Sequence, residues 1–525
     1  MSVQDILRAR RYRDPMILGV PLLRLGVAAS VALAPYTMMG QRSADEGFAS
    51  ARARRVDAIF AMYDTGRSPG CAVAVMDRGQ IEYARGYGLA DVESGTRITQ
   101  RSVFGLASVA KQFTAFSVLL LVRDGRLSLD DDVRKWVPEL PDFGAAFGRT
   151  ITIRDLLHHT SGIPNYLATL DSGWTVTDPL TERQVLDWLG HQRPDFAPGS
   201  HYRYSNSGYM LLEIIVQRAS GDSLPTFAAK HIFEPLGMVS TRYVPDLVHH
   251  VAQVPHLASA YISRETRVPG DQPLFEDGTE WQTSNARTSI VADAGLYSTV
   301  EDLANWDRNF YTGRVGGRAV LRMMQEPAVL TSGDTVPYAA GLMLGAYRGL
   351  RTVGHIGGWG GDVSWFIRYP DQRFTLAILC NRRGFSTDGN DPSHRIAEIY
   401  LGDRMAPEIA RLIGTVVAHG GADSAVHLYH ALRARYPAIA FDEQQLNSLG
   451  YDLIHQHNLD AAIAILRLNV EMYPESANTY DSLGEAYMGQ GDRTLAIANY
   501  ERSLALDSTN ANAVRMLAKL RAQAR

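Results

Sequence analysis

Ser108-Val109-Ala110-Lys111 places a hydroxyl and an amine three residues apart at the start of an apolar run. On a helix these positions share a face, so the serine Oγ and the lysine Nζ can come within hydrogen-bond reach. A serine hydroxyl is a poor nucleophile until a neighbouring base takes its proton. A neutral lysine can act as that base, and a protonated lysine can stabilise the anion. The motif stands out because lysine is rare here: of 52 Lys+Arg, only Lys111, Lys135, Lys230 and Lys519 are lysines. Two more polar groupings follow. Tyr204-Ser205-Asn206 is the only Tyr-x-Asn in the chain, and His355-Ile356-Gly357-Gly358 directly precedes an alternating strand pattern. Tyr204 is a second acid/base candidate, and a charged Lys111 beside it would favour tyrosinate. The Asn206 amide can orient a substrate amide and hold Lys111. His355 can donate to a substrate carbonyl or carboxylate, but carries full charge only near its pKa. Gly357 and Gly358 let a strand pass close to a substrate.

The elements that must position these groups can be read along the chain. Gly70–Met76 and Ile81–Gly88 flank an Asp-Arg-Gly-Gln turn and read as a hairpin. A helix is expected over 108–123, ended by Asp124-Gly125. Residues 126–290 mix short helices with Gly, Pro and Asp turns. Ser298-Thr-Val-Glu301 reads as a capping box for a helix through Trp306. Val363–Tyr369 and Phe374–Cys380 flank Pro370-Asp-Gln-Arg373 and form a second hairpin. Strands at both ends with a helix-rich middle fit an antiparallel sheet covered by helices.

The order Ser-x-x-Lys, Tyr-x-Asn, then a polar residue-x-Gly resembles the penicillin-recognising serine hydrolases. These comprise class C β-lactamases, DD-peptidases, D-aminopeptidases and related esterases. Phe104-Gly-Leu-Ala107, Leu156-Leu-His-His-Thr-Ser-Gly-Ile-Pro164, Pro198-Gly199 and Ala294-Gly-Leu-Tyr-Ser-Thr299 extend the likeness over roughly residues 55 to 400. The resemblance implies an α+β fold, an α/β sandwich with an antiparallel sheet plus a helical lobe, and the site between them. It further implies an oxyanion hole from the backbone N–H groups of Ser108 and Gly358. His355 stands where many β-lactamases carry lysine, which weighs against efficient β-lactam hydrolysis.

Past residue 400 the pattern becomes purely helical. A shift of 34 residues aligns Leu449-Gly450 with Leu483-Gly484, Ala462 with Ala496 and Ile463 with Ile497. That period resembles tetratricopeptide repeats. An all-α domain over 410–523 is expected, with about two and a half repeats and a closing helix over 511–523. It would either cap the catalytic domain or recruit a protein partner.

At 525 residues with net charge −4, the chain holds more than one domain and shows no footprint for nucleic acid. Arg8, Arg10, Arg11 and Arg13 precede an apolar stretch to Ala34, so residues 1–40 read as a signal peptide or uncleaved anchor and 41–54 as a linker. Pro35 argues against clean cleavage and Arg24 interrupts the apolar run. The expected location is therefore periplasmic or secreted, with inner-membrane anchoring an option. Cys71 and Cys380 lie in apolar strand-like runs and read as buried free thiols, although one bridge is open to them. The pairs His158-His159 and His249-His250 lack carboxylates at ligand spacing, so no metal and no cofactor are expected. These readings converge on a serine hydrolase with an acyl-enzyme, acting on D-amino-acid peptides or amides or on small esters. The alternatives are a class C-type β-lactamase and a slowly turning-over sensor that recruits a partner through its repeats.

Overall fold

The computed structural model describes residues 51–167, 180–245, 254–263, 280–284, 288–383 and 391–522. The expected N-terminal signal or anchor segment lies outside them. Residues 51–60 are helical, so residues 51–54 of the stretch read as linker are helix. Among the described residues no helix is long and apolar enough to cross a membrane. The chain divides into two compact units: Ala44–Gly345 with Arg351–Gly402, and a second that gathers Ala346–Leu350 with Asp403–Arg525.

The first unit is built on a six-stranded sheet. Its strands are β1 (Cys71–Asp77), β2 (Gln80–Tyr87), β3 (Met343–Tyr347), β4 (Leu350–Trp359), β5 (Asp362–Tyr369) and β6 (Phe374–Cys380), in the spatial order β3-β4-β5-β6-β1-β2. The first and last strands of the unit are neighbours, because β1 pairs antiparallel with β6 along its whole length. Both read as nearly continuous apolar runs because both are buried on two faces. Their register sets Cys71 opposite Cys380, and the two sulfurs form a disulfide. The expectation of free thiols is therefore corrected. Two strands separated by 309 residues bring the cysteines together, a relation that local sequence does not carry.

Helix α1 (Lys111–Arg123) follows a short 3₁₀ turn that packs on β5, and every residue from Lys111 to Leu121 is buried. Its FTAFSVLLLV core is apolar around the whole circumference, the pattern of a helix enclosed on all sides. Helix α2 (Asn206–Ser220) packs on it, buried from Asn206 through Val216 and closed by Gly221 at φ 82°. The helix expected from a Ser298 capping box starts one residue later. Thr299 is the N-cap of α3 (Val300–Thr312), its side chain accepting from the Asp302 N–H.

From residue 403 to residue 522 the second unit is built of helices. Residues Ile409–Arg435 form two helices broken at Gly421, whose φ of 80° and ψ of 169° are non-helical. Helices α4 (Glu443–His455), α5 (Leu459–Met472), α6 (Ala477–Gln490), α7 (Arg493–Leu506) and α8 (Ala511–Ala522) follow. Alternate helices start at intervals of 34 residues: Glu443, Ala477 and Ala511, and likewise Leu459 and Arg493. Glycine sits where paired helices approach closely. A Cβ on Gly450 would stand 2.5 Å from the Leu466 side chain.

Candidate active site

Ser108 does not lie on an α-helix. It occupies a 3₁₀ turn, Ala107–Ala110, and α1 begins only at Lys111. The expected helix over 108–123 thus divides at the residues that matter. In a 3₁₀ turn, positions i and i+3 eclipse, which aligns Ser108 with Lys111 more closely than an α-helix would. The turn is entered through Ala107 at φ 44°, a left-handed conformation that costs a residue with a Cβ and persists only where its surroundings enforce it. Those surroundings are visible. The Leu106 carbonyl accepts from Ser364 Oγ at 2.6 Å, and the Leu106 N–H donates to Leu296 O at 2.8 Å. Gly357 on β4 passes so near that a Cβ there would meet Leu106 O at 2.4 Å and Ser108 N at 2.9 Å. Gly358 differs: a Cβ there would meet nothing within 4 Å.

Lys111 is fully buried, and all three of its protons have acceptors. Nζ donates to Ser108 Oγ at 3.2 Å, Asn206 Oδ1 at 2.8 Å and the backbone carbonyl of Asp293 at 2.8 Å. Burial pulls its pKa down to about 8, against an opposing pull from the Asp293 carboxylate. The Tyr204 and Tyr209 rings lie 5.0 and 5.5 Å from Nζ and face it with their π-systems. Asn206 is set by its place as the first residue of α2, where its backbone N–H donates to Asn165 Oδ1 at 3.1 Å.

The Tyr204 hydroxyl is buried and makes no hydrogen bond of ordinary geometry with another group. Burial holds its pKa well above the phenol range, and the adjacent Ser108 hydroxyl offsets this only in part. Tyr204 is thus a neutral phenol, and the tyrosinate suggested by the sequence is disfavoured. Its ring is stacked at 4.3 Å on His159, whose Nδ1 accepts from the Ser205 N–H at 3.2 Å. His159 therefore belongs to the packing that orients the Tyr204 segment. Burial keeps the imidazole neutral. Among the described residues no cluster of His, Cys, Asp or Glu could hold a metal ion.

His355 is placed differently from the sequence expectation. It is buried, and both ring nitrogens are engaged within the protein. Nδ1 lies 2.6 Å from Ile356 O, and a carbonyl can only accept, so Nδ1 carries the proton. Nε2 then accepts from the Tyr338 hydroxyl at 3.1 Å. Burial, with the Lys111 charge beside it, lowers the pKa to about 3. A neutral imidazole with both nitrogens occupied is not a donor to substrate in this arrangement. It braces the aromatic cluster behind Tyr204.

The remaining groups converge on a cavity of about 210 Å³. Ser108, Tyr204, Asn206 and Gly358 line it, together with Tyr166, Leu167, Thr288, Asp293, Ala294 and Trp359. Neither His355 nor Gly357 is part of this lining. Sequence reasoning missed Asp293, Tyr166 and Asn165. Asp293 receives Lys111 on its backbone carbonyl and the Tyr166 hydroxyl on its carboxylate, at 2.7 Å. Two of the three adjoin recognisable blocks: Asn165 follows Gly162-Ile163-Pro164, and Asp293 precedes Ala294-Gly295-Leu296.

The Beta-lactamase family profile matches residues 55–401. The chain belongs to that family. It is similar to a penicillin-binding protein of Bacillus subtilis (strain 168), at 32% identity over 323 residues that cover 59% of this chain and 67% of the relative. The D-aminopeptidase of Brucella suis biovar 1 (strain 1330) is 25% identical over 340 residues, and the match spans only 60% of that relative's length. Among solved structures, D-amino acid amidase from Ochrobactrum anthropi SV3 superposes with a TM-score of 0.55 at 25% identity, covering 66% of this chain and 99% of the amidase. The octameric penicillin-binding protein homologue from Pyrococcus abyssi gives 0.55 at 26% identity, covering 71% and 82%. The fold is thus the α+β β-lactamase/transpeptidase-like fold, and the protein is a serine hydrolase of the β-lactamase family.

Proposed function

We propose that Ser108 is the nucleophile of an acyl-enzyme hydrolase acting on D-amino-acid amides or peptides or on small esters. The observation that carries this reading is the buried Lys111 ammonium 3.2 Å from Ser108 Oγ, with its other two protons held by Asn206 and Asp293. Neutral Lys111 takes the serine proton as Oγ attacks the carbonyl. The negative charge on the tetrahedral oxygen falls to the backbone N–H groups of Ser108 and Gly358. The neutral Tyr204 phenol, adjoining Ser108, returns a proton to the leaving amine or alcohol and is reprotonated through Lys111. Water then releases the acyl group by the same steps in reverse order.

The substrate class is supported by the D-aminopeptidase and D-amino acid amidase among the relatives and by the charges around the cavity. Among the described lining residues there is no arginine or lysine, and the imidazole of His355 is neutral. Among those described residues a penicillin carboxylate or a peptide C-terminus would find no fixed cation. The test is a panel of D-amino-acid amides, D-peptides, short acyl esters and β-lactams, run beside Ser108→Ala. Turnover of amides or esters that vanishes in the variant supports the reading. A panel led by penicillins would overturn the substrate class.

Two features bear on the wider protein. The Cys71–Cys380 disulfide supports an oxidising compartment outside the cytoplasm. The 34-residue helix spacing supports a tetratricopeptide-like array, which would offer a surface to a protein partner.

A further inference from the structure

Glu213 is a buried acid with no part in the proton transfers above. It lies on α2, seven residues after Asn206, so the two share a face about 10 Å apart along the helix. One of its oxygens, Oε2, accepts two backbone N–H groups, those of Val291 and Ala292, each at 3.0 Å. The next residue is Asp293, whose carbonyl takes a proton of Lys111. The same loop is held from α1, where Thr114 Oγ1 donates to Ala292 O at 2.7 Å.

We propose that Glu213 is a positioning residue for Lys111: by accepting the Val291 and Ala292 N–H groups, it fixes the loop that presents the Asp293 carbonyl to Nζ. Helix α2 then holds Lys111 twice, directly through Asn206 and indirectly through Glu213. This rests on the reading that Ser108 and Lys111 carry the chemistry. What matters on this account is the reach of an acceptor oxygen, not a charge. Burial, with the charges of Glu182, at the start of the short helix Glu182–Leu189, and of Asp293 in the loop adding to it, raises the Glu213 pKa to about 8. The neutral acid accepts through its carbonyl oxygen, which a glutamine amide reproduces.

Two substitutions in the full chain separate reach from acidity. Glu213→Gln keeps the acceptor in place and removes the acid. Glu213→Asp keeps the acid and withdraws it by one carbon–carbon bond, about 1.5 Å. With 4-nitrophenyl acetate, Glu213→Gln is expected to hold kcat within about threefold of the parent. Glu213→Asp is expected to lose about tenfold or more in kcat, with KM little changed. Its acid limb in kcat/KM also moves to lower pH, because the displaced Asp293 carbonyl no longer favours the ammonium. The charged and titratable groups facing Nζ are otherwise unchanged: the Asp293 carboxylate, Tyr204, Tyr209, His159 and His355. Equal loss in both variants, or no loss in either while Ser108→Ala is dead, overturns the inference alone. An active Ser108→Ala overturns the underlying reading and this inference with it. If Glu213→Asp fails to fold, Glu213→Gln decides: a retained kcat supports the proposal and a tenfold loss overturns it.

Discussion

Lys111→Met tests the proton-transfer assignment with little loss of packing volume. The side chain keeps its unbranched length, and only the Nζ group with its three donated bonds is lost. Asn206 Oδ1 and the Asp293 carbonyl lose their donor, at a cost of about 1–3 kcal/mol each. Removal of a buried cation offsets part of that. The variant should therefore fold, and its circular dichroism should match the parent. Loss of a positioned acid/base costs about 10²–10⁴ in rate, or ~3–5.5 kcal/mol of barrier. The parent enzyme supplies a second check. With the Lys111 pKa at about 8, only about one-tenth of the base is neutral at pH 7 and about nine-tenths at pH 9. For an uncharged ester, kcat/KM should rise close to tenfold across that interval. Burial keeps His355 and His159 neutral, so no second limb belongs to them near pH 6.5. A flat profile from pH 6 to 9, or Lys111→Met within tenfold of the parent, would refute this reasoning.

The two glycines of the His355-Ile-Gly-Gly segment should behave differently. Gly357→Ala drives a methyl against Leu106 O and Ser108 N, so turnover should fall at least about tenfold with a lowered melting temperature. Gly358→Ala meets no atom within 4 Å and should leave melting unchanged, any effect appearing in KM. Short acyl esters should exceed penicillins and cephalosporins in kcat/KM, because His355 is neutral with both nitrogens engaged; a penicillin outpacing every ester and D-amide would contradict that. Paired Cys71→Ala and Cys380→Ala substitutions should cost about 2–5 kcal/mol in urea unfolding, and an unchanged midpoint would count against the bridge.

The parts of the site legible in the sequence are those written as side chains in short motifs. Ser108, Lys111, Tyr204 and Asn206 were all visible as residue types at characteristic spacing, and the structure brings them into one cluster. What completes the Lys111 socket is a backbone carbonyl, and every residue has one. Asp293 could not be singled out on that ground, nor could Glu213, which acts through two N–H groups. The 3₁₀ turn at Ser108 was hidden because its Ala107-Ser-Val-Ala110 sequence is also a sound helix start, and tertiary bonds to Leu106 decide the matter. The resemblance sets His355 toward the substrate, but a place in a motif does not fix a hydrogen-bond partner. Tyr338, which occupies its Nε2, lies outside the motif. The hairpins were legible from alternation and turn residues, whereas the pairing of β1 with β6 depends on the closure of the whole unit.

The central claim is that Ser108 forms a covalent acyl-enzyme, and one measurement meets it directly. The protein is quenched in acid during turnover of a slow ester, or after reaction with a fluorophosphonate, and the adduct is mapped by peptide mass spectrometry. The account predicts a stoichiometric mass increase on the peptide containing Ser108, absent in Ser108→Ala. An adduct on another serine, or turnover that continues in Ser108→Ala, would contradict it.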